Sequence, residues 1–494
     1  MGMNKRKHVV VVGGGTSGCV LAARLSESNR FDVTLLEIGP DDSAYDEVLL
    51  DPRRTPEAWV GHAPSAFSVM HGQPADVAVF QGRVLGGTSA ANGMATLRGL
   101  PVDYDQWAAM GLEGWGWDDV VDTFIAAERD VDFGASPLHG DSGPLPVRRW
   151  KSGEHSRAHV AYLAGMRELG ERPVADINDA DQLPGIGVFP ATIDEHSRRV
   201  STSLAYLTPT VRARENLTIR TNCDVAQIAI DAARATGVIL RSGEHIDADE
   251  VVIACGALWT PHLLMRSGIG PADHLTDHGI SVVADLPVGS TMSDHLGPAI
   301  PYLYDGPESG TGGPAQALLV GASNGTDIDY HAFPITALPI DGRQRFLLAV
   351  FLLRSGGDGT VRLGDNLDAG PVVTLPSLPA DAHGRYRHAF DKLVAWHRTD
   401  AFAQLGAEQL DLIDLADDDA VPLALERHLL SYAHMVGTCP MGPVLDADCR
   451  LRGIGGLRIA DASVMPTIPS GNTYLGCVMI AERIAAKMKA QTST

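Results

Sequence analysis

The chain has 494 residues, more than one hydrophobic core normally organises, so two domains or one elaborated domain are expected. Its 45% hydrophobic and 20% charged residues are typical of a globular protein. The formal net charge of −22 opposes binding to nucleic acid and to anionic membrane surfaces.

Targeting and metal signals are weak throughout the sequence. No uninterrupted apolar run of about 20 residues occurs, which argues against a transmembrane helix. The apolar run near the N-terminus ends at Gly13, and no cleavage site for an export signal follows it. The six cysteines and the histidines show no spacing typical of a metal site. We therefore expect a cytoplasmic protein without a bound metal.

The first predicted elements are a strand, a glycine-rich turn, a helix and a second strand. Residues 8–12 are a β-branched run typical of a buried parallel strand, residues 19–25 indicate a helix, and residues 32–37 indicate the second strand. The turn holds a dinucleotide-binding pattern made of Gly13, Gly15, Thr16, Ser17 and Gly18. Its glycines permit a tight turn, approach of a pyrophosphate and close packing of helix and strand.

An acidic residue ends the second predicted strand. Glu37 lies about 20 residues beyond Gly18, where a carboxylate can accept hydrogen bonds from the hydroxyls of a ribose. This spacing favours a dinucleotide with an unphosphorylated ribose. The pattern alone does not distinguish FAD from NAD.

Further along the chain, ordered segments carry recognisable patterns. Residues 82–94 read GRVLGGTSAANGM and are continued by Arg98-Gly99 and by DYDQW at 103–107, and residues 256–270 read GALWTPHLLMRSGIG. Between them lie SLAYL at 203–207, NLTI at 216–219 and Val225. HMVGTCPMG at 434–442 and DASVMPTIPSGN at 461–472 come last. Together these segments resemble the signatures of the glucose-methanol-choline family of FAD-dependent oxidoreductases.

The resemblance implies a mixed α/β fold with two domains. A Rossmann-like FAD-binding domain is expected from residues 1–150, 200–300 and 445–494, and a substrate-binding domain built on an antiparallel sheet from residues 151–199 and 301–444. Strand-like segments at 327–331, 346–353 and 359–363, and a helical segment at 382–405, are compatible with the second domain.

The same resemblance assigns cofactor contacts beyond the first turn. They are Val84, Gly87, Thr88, Asn92, Gly93, Met94, Ala95, Val225, Asp461 and Thr473. Some family members attach the flavin covalently through a histidine just before the asparagine, but this chain has Ala91 there. We therefore expect non-covalent FAD.

Two polar residues carry the predicted chemistry, which is oxidation of a primary or secondary alcohol. His434 is the candidate general base, because an imidazole pKa suits removal of a hydroxyl proton. Asn472 is expected to hold the same oxygen, although an asparagine before a helix can also serve only as its cap. The N-terminus of the helix predicted at 473–488 is expected to stabilise negative charge on the reduced flavin.

The sequence is compatible with several alternative functions. The main one is an FAD-containing lyase of the hydroxynitrile lyase type, with no net redox change. A light-driven fatty-acid decarboxylase would not need the His434 and Asn472 pair, and a non-enzymatic flavoprotein would need neither residue. The electron acceptor is expected to be oxygen, a quinone or a carrier protein.

Overall fold

The computed structural model describes residues 6–60, 65–72, 76–367 and 370–491. In chain order, helices α1 to α14 are Thr16–Leu25, Glu47–Leu50, Thr55–Trp59, Pro101–Ala109, Trp117–Ala127, Arg157–Glu168, Thr202–Tyr206, Pro209–Arg212, Gly256–Arg266, Ala272–Asp277, Ala382–Trp396, Asp400–Leu405, Ala420–His428 and Thr473–Gln491. Strands β1 to β24 are Lys7–Val12, Phe31–Leu36, Ser65–His71, Val77–Gly82, Glu128–Asp130, Leu145–Arg149, Gly185–Val188, Pro190–Ala191, Leu217–Arg220, Val225–Asp231, Arg234–Leu240, His245–Asp247, Glu250–Ile253, Ile269–Gly270, Ala284–Asp285, Leu296–Tyr304, Ala317–Gly321, Tyr330–Ile340, Arg343–Leu352, Thr360–Arg362, Val372–Thr374, Glu408–Gln409, Leu429–Ser431 and Leu457–Ile459.

A five-stranded parallel sheet forms the nucleotide-binding half of the fold. Its strand order is β24-β13-β1-β2-β9, and every neighbouring pair is parallel. Val9, Val10 and Val11 of the central β1 are fully buried, as expected of a strand covered on both faces. Helix α1 connects β1 to β2 and packs against the C-terminal helix α14. The predicted strand, turn, helix and strand are confirmed.

A larger antiparallel sheet forms the second half. Its order is β22-β16-β19-β18-β17-β7, and β23 pairs with the start of β16. One face carries Phe346 and Leu348 against Tyr386 and Trp396 of α11. The other face carries a core that includes Phe333, Phe351, Ala95 and Leu97, so it is turned toward the glycine-rich loops of the first half. The mixed α/β architecture predicted from the resemblance is confirmed.

Some predicted boundaries differ from the structure. The single helix predicted at 382–405 is two helices, because the Thr399 hydroxyl accepts a hydrogen bond from Phe402 N at 3.2 Å and begins α12. The strand predicted from residue 327 begins only at Tyr330, since the Asn324 side chain holds residues 324–327 in a turn.

The described residues contain neither a membrane-spanning helix nor a disulfide bond. Within the described ranges, no helix combines the length and the apolar character needed to cross a membrane. All six cysteines are free thiols in the structure.

Candidate active site

The turn after β1 is built as the glycine pattern predicts. Gly13 has a φ of 98°, and a Cβ added there would lie 2.6 Å from the oxygen of Ala254. A Cβ on Gly18 would lie 1.8 Å from the Gly13 oxygen, so helix α1 can approach β1 only without a side chain at this position. Gly15 precedes α1 without a side-chain cap, which leaves the first amides of the helix available to an anion.

Glu37 lies beside this turn with its carboxylate held by main-chain amides. One oxygen accepts a hydrogen bond from Gly14 N and the other from Gly39 N, each at 2.8 Å. Burial raises the pKa of Glu37 to about 7, although these two hydrogen bonds favour the charged form. Cys223 N donates to the Glu37 main-chain oxygen at 2.8 Å, which brings β10 and its first residue, Val225, to the same corner.

The second glycine-rich loop packs directly on the first. Gly86 N donates to the oxygen of Gly14 at 2.7 Å, and Gly87 N donates to the oxygen of Val84 at 2.7 Å. A Cβ on Gly87 would lie 2.6 Å from the Gly15 Cα. A Cβ on Gly15 itself would meet nothing closer than 3.9 Å, so its own side is open. The two loops therefore form a cradle that admits a phosphate close to the main chain.

The loop continues through a tight segment that ends at Ala95. Thr88 O accepts hydrogen bonds from the amides of residues 91 and 92, and Met94 adopts a φ of 62°. The Asn92 side-chain oxygen accepts from Met94 N at 2.9 Å, which stabilises this conformation. Gly93 has no neighbour closer than 4.0 Å to an added Cβ, and Ala95 pairs with Ala191.

A buried arginine that the sequence reasoning missed holds this segment in place. Arg199 is 1% exposed and donates to the main-chain and side-chain oxygens of Asn92 at 2.6 and 3.0 Å. Its other donors meet the Leu49 oxygen and the Thr55 hydroxyl. Within the described residues, none of its hydrogen-bond acceptors is a carboxylate. Nothing in its sequence context marked it.

His434 and Asn472, which are 38 residues apart in sequence, lie together. His434 Nε2 is 3.0 Å from Asn472 Nδ2, and each residue is only 7% exposed. Burial is the main cause that holds the pKa of His434 well below its usual range, and the neighbouring His295 and His331 lower it further. The base predicted from the motif is therefore a neutral imidazole. The Asn472 side-chain oxygen makes no hydrogen bond to the described residues.

The segment that carries Asn472 packs against residues 98–103. Asp103 accepts hydrogen bonds from Ser470 N at 2.6 Å and from the Ser470 hydroxyl at 2.8 Å. A Cβ on Gly471 would lie 2.1 Å from the oxygen of Arg98, so the chain passes this point only as glycine. Helix α14 begins immediately afterwards at Thr473, and its N-terminus therefore adjoins the His434 imidazole.

Asp461 lies at the junction between the parallel sheet and α9. It accepts hydrogen bonds from Gly256 N at 2.9 Å, from the Thr260 hydroxyl at 2.6 Å and from Ser463 N at 2.8 Å. These protein donors already use much of its acceptor capacity. Asp461 lies near the first turn, because it binds Gly256 N and the nearby Ala254 N donates to the oxygen of Val12, the residue before Gly13, at 2.7 Å.

Three residues around His434 were also missed by the sequence reasoning. His295 Nδ1 is 2.9 Å from His434 Nδ1. Asp294 accepts a hydrogen bond from His434 N at 2.9 Å, and burial raises the pKa of this carboxyl group to about 7. The Tyr432 ring stacks on the His434 ring with centroids 4.1 Å apart. Asp294 and His295 belong to no motif recognised in the sequence.

Comparisons with known proteins agree over almost the whole chain. Residues 8–297 and 356–481 match the N-terminal and C-terminal models of the GMC oxidoreductase family. A 5-(hydroxymethyl)furfural oxidase from Methylovorus sp. is 33% identical, with 96% of this chain and 97% of the relative covered. An oxygen-dependent choline dehydrogenase from Proteus mirabilis is 30% identical, with 97% and 95% covered.

A solved structure is also similar. The crystal structure of pyridoxine 4-oxidase from Mesorbium loti superposes with a TM-score of 0.88 at 27% identity, and 98% of this chain and 99% of that chain are covered. The chain therefore belongs to the glucose-methanol-choline family, the FAD-dependent oxidoreductases that act on alcohols.

Proposed function

We propose that this enzyme oxidises a neutral primary or secondary alcohol and that His434 and Asn472 carry the proton transfer. The observation that carries the proposal is the contact of 3.0 Å between His434 Nε2 and Asn472 Nδ2 in a buried site. An alcohol oxygen entering between them would accept the Asn472 N–H. Its hydroxyl proton would then face the His434 lone pair, as general-base catalysis requires.

FAD fits the cradle formed by the two glycine-rich loops. The residues that would hold it are Gly13, Gly15, Thr16, Ser17, Gly18, Glu37, Val84, Gly87, Thr88, Asn92, Gly93, Met94, Ala95, Val225, Asp461 and Thr473. Supporting observations are the open side of Gly15 and the carboxylate of Glu37 beside the first turn. When bound, FAD accepts the hydride from the alcohol carbon at its N5. The N-terminus of α14 would favour the negative charge that follows.

The FAD is proposed to be non-covalent. Ala91 is 1% exposed, and its side chain offers no nucleophilic atom, so the histidine linkage of some relatives cannot form there. Acid precipitation of the purified holoenzyme should leave the yellow flavin in the supernatant. Flavin retained on the precipitated polypeptide contradicts this proposal.

The substrate class is proposed to be an alcohol carried on an aromatic ring. Tyr432 stacks on His434, and Phe351 stacks on Tyr432 with centroids 4.3 Å apart, so an aromatic wall adjoins the base. The furfural oxidase and the pyridoxine oxidase similar to this chain are named for ring-bearing alcohols. The buried His295 and His331, whose pKa values burial lowers to about 3, add no charge to this wall.

Anaerobic reduction of the flavin tests the substrate and the base together. Holoenzyme mixed with 5-(hydroxymethyl)furfural or pyridoxine should lose its flavin absorbance faster than holoenzyme mixed with choline. His434→Ala should keep its FAD and slow this bleaching by about a hundredfold or more. Equal rates in the parent and in His434→Ala would remove His434 from the role of base, whereas turnover without bleaching would indicate lyase chemistry.

Oxygen is proposed as the electron acceptor, with a quinone or a carrier protein as the alternative. The relatives described as an oxidase and as an oxygen-dependent dehydrogenase favour oxygen. Admitting air to the substrate-reduced enzyme should restore the flavin absorbance within one turnover time. Slow recovery in air, with fast recovery on adding a quinone, would favour the alternative.

The FAD-binding domain is proposed to comprise residues 1–150, 200–300 and 445–494, and the substrate-binding domain residues 151–199 and 301–444. All strands of the parallel sheet lie in the first set of residues, and most strands of the antiparallel sheet lie in the second set.

A cytoplasmic location is proposed because six free thiols suit a reducing compartment.

A further inference from the structure

Backbone pairing places two histidines from distant parts of the chain side by side. Ser293 N donates to the Val436 oxygen at 3.1 Å, and Val436 N donates to the Ser293 oxygen at 3.0 Å. Two residues further along, Tyr432 N donates to the His295 oxygen at 2.9 Å, so the main chain pairs His295 with Tyr432. His434 lies between these two paired positions, and its N–H binds the Asp294 carboxylate at 2.9 Å. Main-chain contacts on both sides of His434 therefore bring the two imidazoles together.

The hydrogen bonds of these histidines form a chain that ends at the active site. His295 Nε2 is 3.1 Å from the Leu353 oxygen, and His295 Nδ1 is 2.9 Å from His434 Nδ1. His434 Nε2 is then 3.0 Å from Asn472 Nδ2. His295 is fully buried, so water does not compete for these contacts.

The Leu353 carbonyl determines which ring nitrogen carries the proton in His295 and in His434. A carbonyl oxygen only accepts, so His295 Nε2 must carry a proton and donate it. Burial keeps His295 neutral, because it lowers its pKa to about 3, and its Nδ1 therefore holds a lone pair. His434 Nδ1 must then be the donor between the rings.

The consequence appears on the other nitrogen of His434. A neutral imidazole has one N–H, and in His434 that N–H is committed to His295 through Nδ1. Nε2 is left with a lone pair that faces Asn472. We propose that His295 is a positioning residue that holds His434 in the Nδ1-protonated tautomer, with Nε2 ready to accept the substrate proton. This proposal rests on the proposed function of His434 as base.

The orienting group is neutral, unlike the carboxylate that orients the histidine of a serine protease triad. The nearby carboxyl group of Asp294 binds the main-chain N–H of His434 and makes no hydrogen bond to its ring among the described contacts. After proton transfer, His434 would carry a proton on both nitrogens and still donate through Nδ1. The positive charge then strengthens this hydrogen bond without moving the proton to His295.

Two substitutions at His295 separate this role from simple packing. Asparagine can place its side-chain oxygen near the position of Nδ1 and accept the His434 N–H, whereas leucine fills space and accepts nothing. His295→Leu should slow anaerobic flavin reduction by about a hundredfold, as loss of an orienting partner does. His295→Asn should recover most of that rate. Both His295 variants should bind as much FAD as the parent enzyme, and both should be half-saturated at the same substrate concentration as the parent enzyme.

His159 provides the matched control. It is also fully buried, with Nε2 3.1 Å from the Pro314 oxygen and Nδ1 accepting from Ala317 N at 3.3 Å, but it has no hydrogen bond to His434. His159→Leu should lower the thermal midpoint without slowing reduction per bound flavin. If His295→Leu reduces as fast as the parent, or if His295→Asn is as slow as His295→Leu, the positioning role is refuted.

A direct measurement remains decisive even where His295→Leu does not fold. In holoenzyme labelled with ¹⁵N-histidine, the His434 signals are assigned by their loss in His434→Ala. Nδ1 should give a protonated, pyrrole-type signal and Nε2 an unprotonated, pyridine-type signal. The reverse assignment overturns the proposal. Failure of the base assignment is separate, since it would appear as rapid flavin reduction by His434→Ala itself.

Discussion

Replacing Asn472 by aspartate exchanges one side-chain group and tests the neutrality of the proposed catalytic pair, His434 and Asn472. The side-chain nitrogen lies 3.0 Å from His434 Nε2 and would become a carboxylate oxygen. At this distance and an effective dielectric constant of about 20, a negative charge stabilises an imidazolium by about 5.5 kcal/mol. This corresponds to about four pKa units.

The introduced carboxylate should therefore block the base. A buried carboxylate at this position takes up a proton, which is then held between the carboxylate and His434 Nε2. In either position the lone pair is unavailable to a substrate. We expect Asn472→Asp to slow anaerobic flavin reduction by about a hundredfold or more near neutral pH. The rate should recover as rising pH removes the shared proton.

Stopped-flow absorbance from about pH 6 to 9 measures this effect, with Asn472→Ala as the uncharged control. Asn472→Ala removes the hydrogen-bond donor without adding a charge, so its reduction rate should fall without acquiring the new pH dependence. Parental rates in Asn472→Asp across this range would show that His434 Nε2 is not the proton acceptor.

Three further predictions address the cofactor, the backbone and a buried ionic cluster. Glu37→Gln should weaken FAD binding by about 10- to 100-fold through loss of a charge-assisted acceptor, and an unchanged Kd in a flavin titration would contradict the ribose role. Ala433 has a φ of 61°, so Ala433→Gly should change the free energy of unfolding by no more than about 1 kcal/mol, whereas Ala433→Val should lower the thermal midpoint clearly. Burial alone would lower the pKa of His139, but hydrogen bonds to Asp130, Asp176 and Glu128 raise it to about 10. Its stabilisation is complete below about pH 6.5 and is lost as pH rises through 10, so His139→Gln should flatten the fall in thermal midpoint across that window, and an unchanged slope would contradict this.

The parts of this site that could be predicted from sequence are those set by local chemistry. A β-branched run followed by Gly13 and Gly18 determines a strand, a turn and a helix within a few residues, because the glycines satisfy contacts that no side chain permits. Asn472 was assigned by its position in the family motif, and it lies immediately before α14.

Residues assembled by long-range pairing gave no such signal. His295 reaches His434 across 139 positions because residues 293–295 pair with residues 432–436, and a lone histidine in an unrecognised segment does not disclose its partner. The prediction of one helix at 382–405 was wrong for a different reason. The helical periodicity of the sequence continues past Thr399, but the Thr399 hydroxyl caps the start of a new helix.

A buried ionic cluster was missed although its residues lie close together in sequence. Glu128, Asp130 and His139 come close enough for their ligand atoms to hold one metal ion, although their spacing in sequence matches no metal pattern. Arg98 pairs with Glu128, and Arg149 pairs with Asp130, so arginines already meet these carboxylates. Sequence spacing indicates neither that these three side chains cluster nor that arginines neutralise the carboxylates.

The neutrality of the proposed catalytic groups would affect the reaction. His295, His434 and Asn472 carry no charge at rest, so these three groups avoid the cost of an unpaired buried ion before substrate enters. In the proposed reaction, proton transfer to His434 would create a cation, and bound FAD would supply the hydride acceptor and gain negative charge. Each charge would be stabilised by the other only as the reaction proceeds, which would lower the barrier without strengthening substrate binding. A carboxylate hydrogen-bonded to the His434 ring would stabilise the cation earlier and favour a proton on the base before the alcohol arrives.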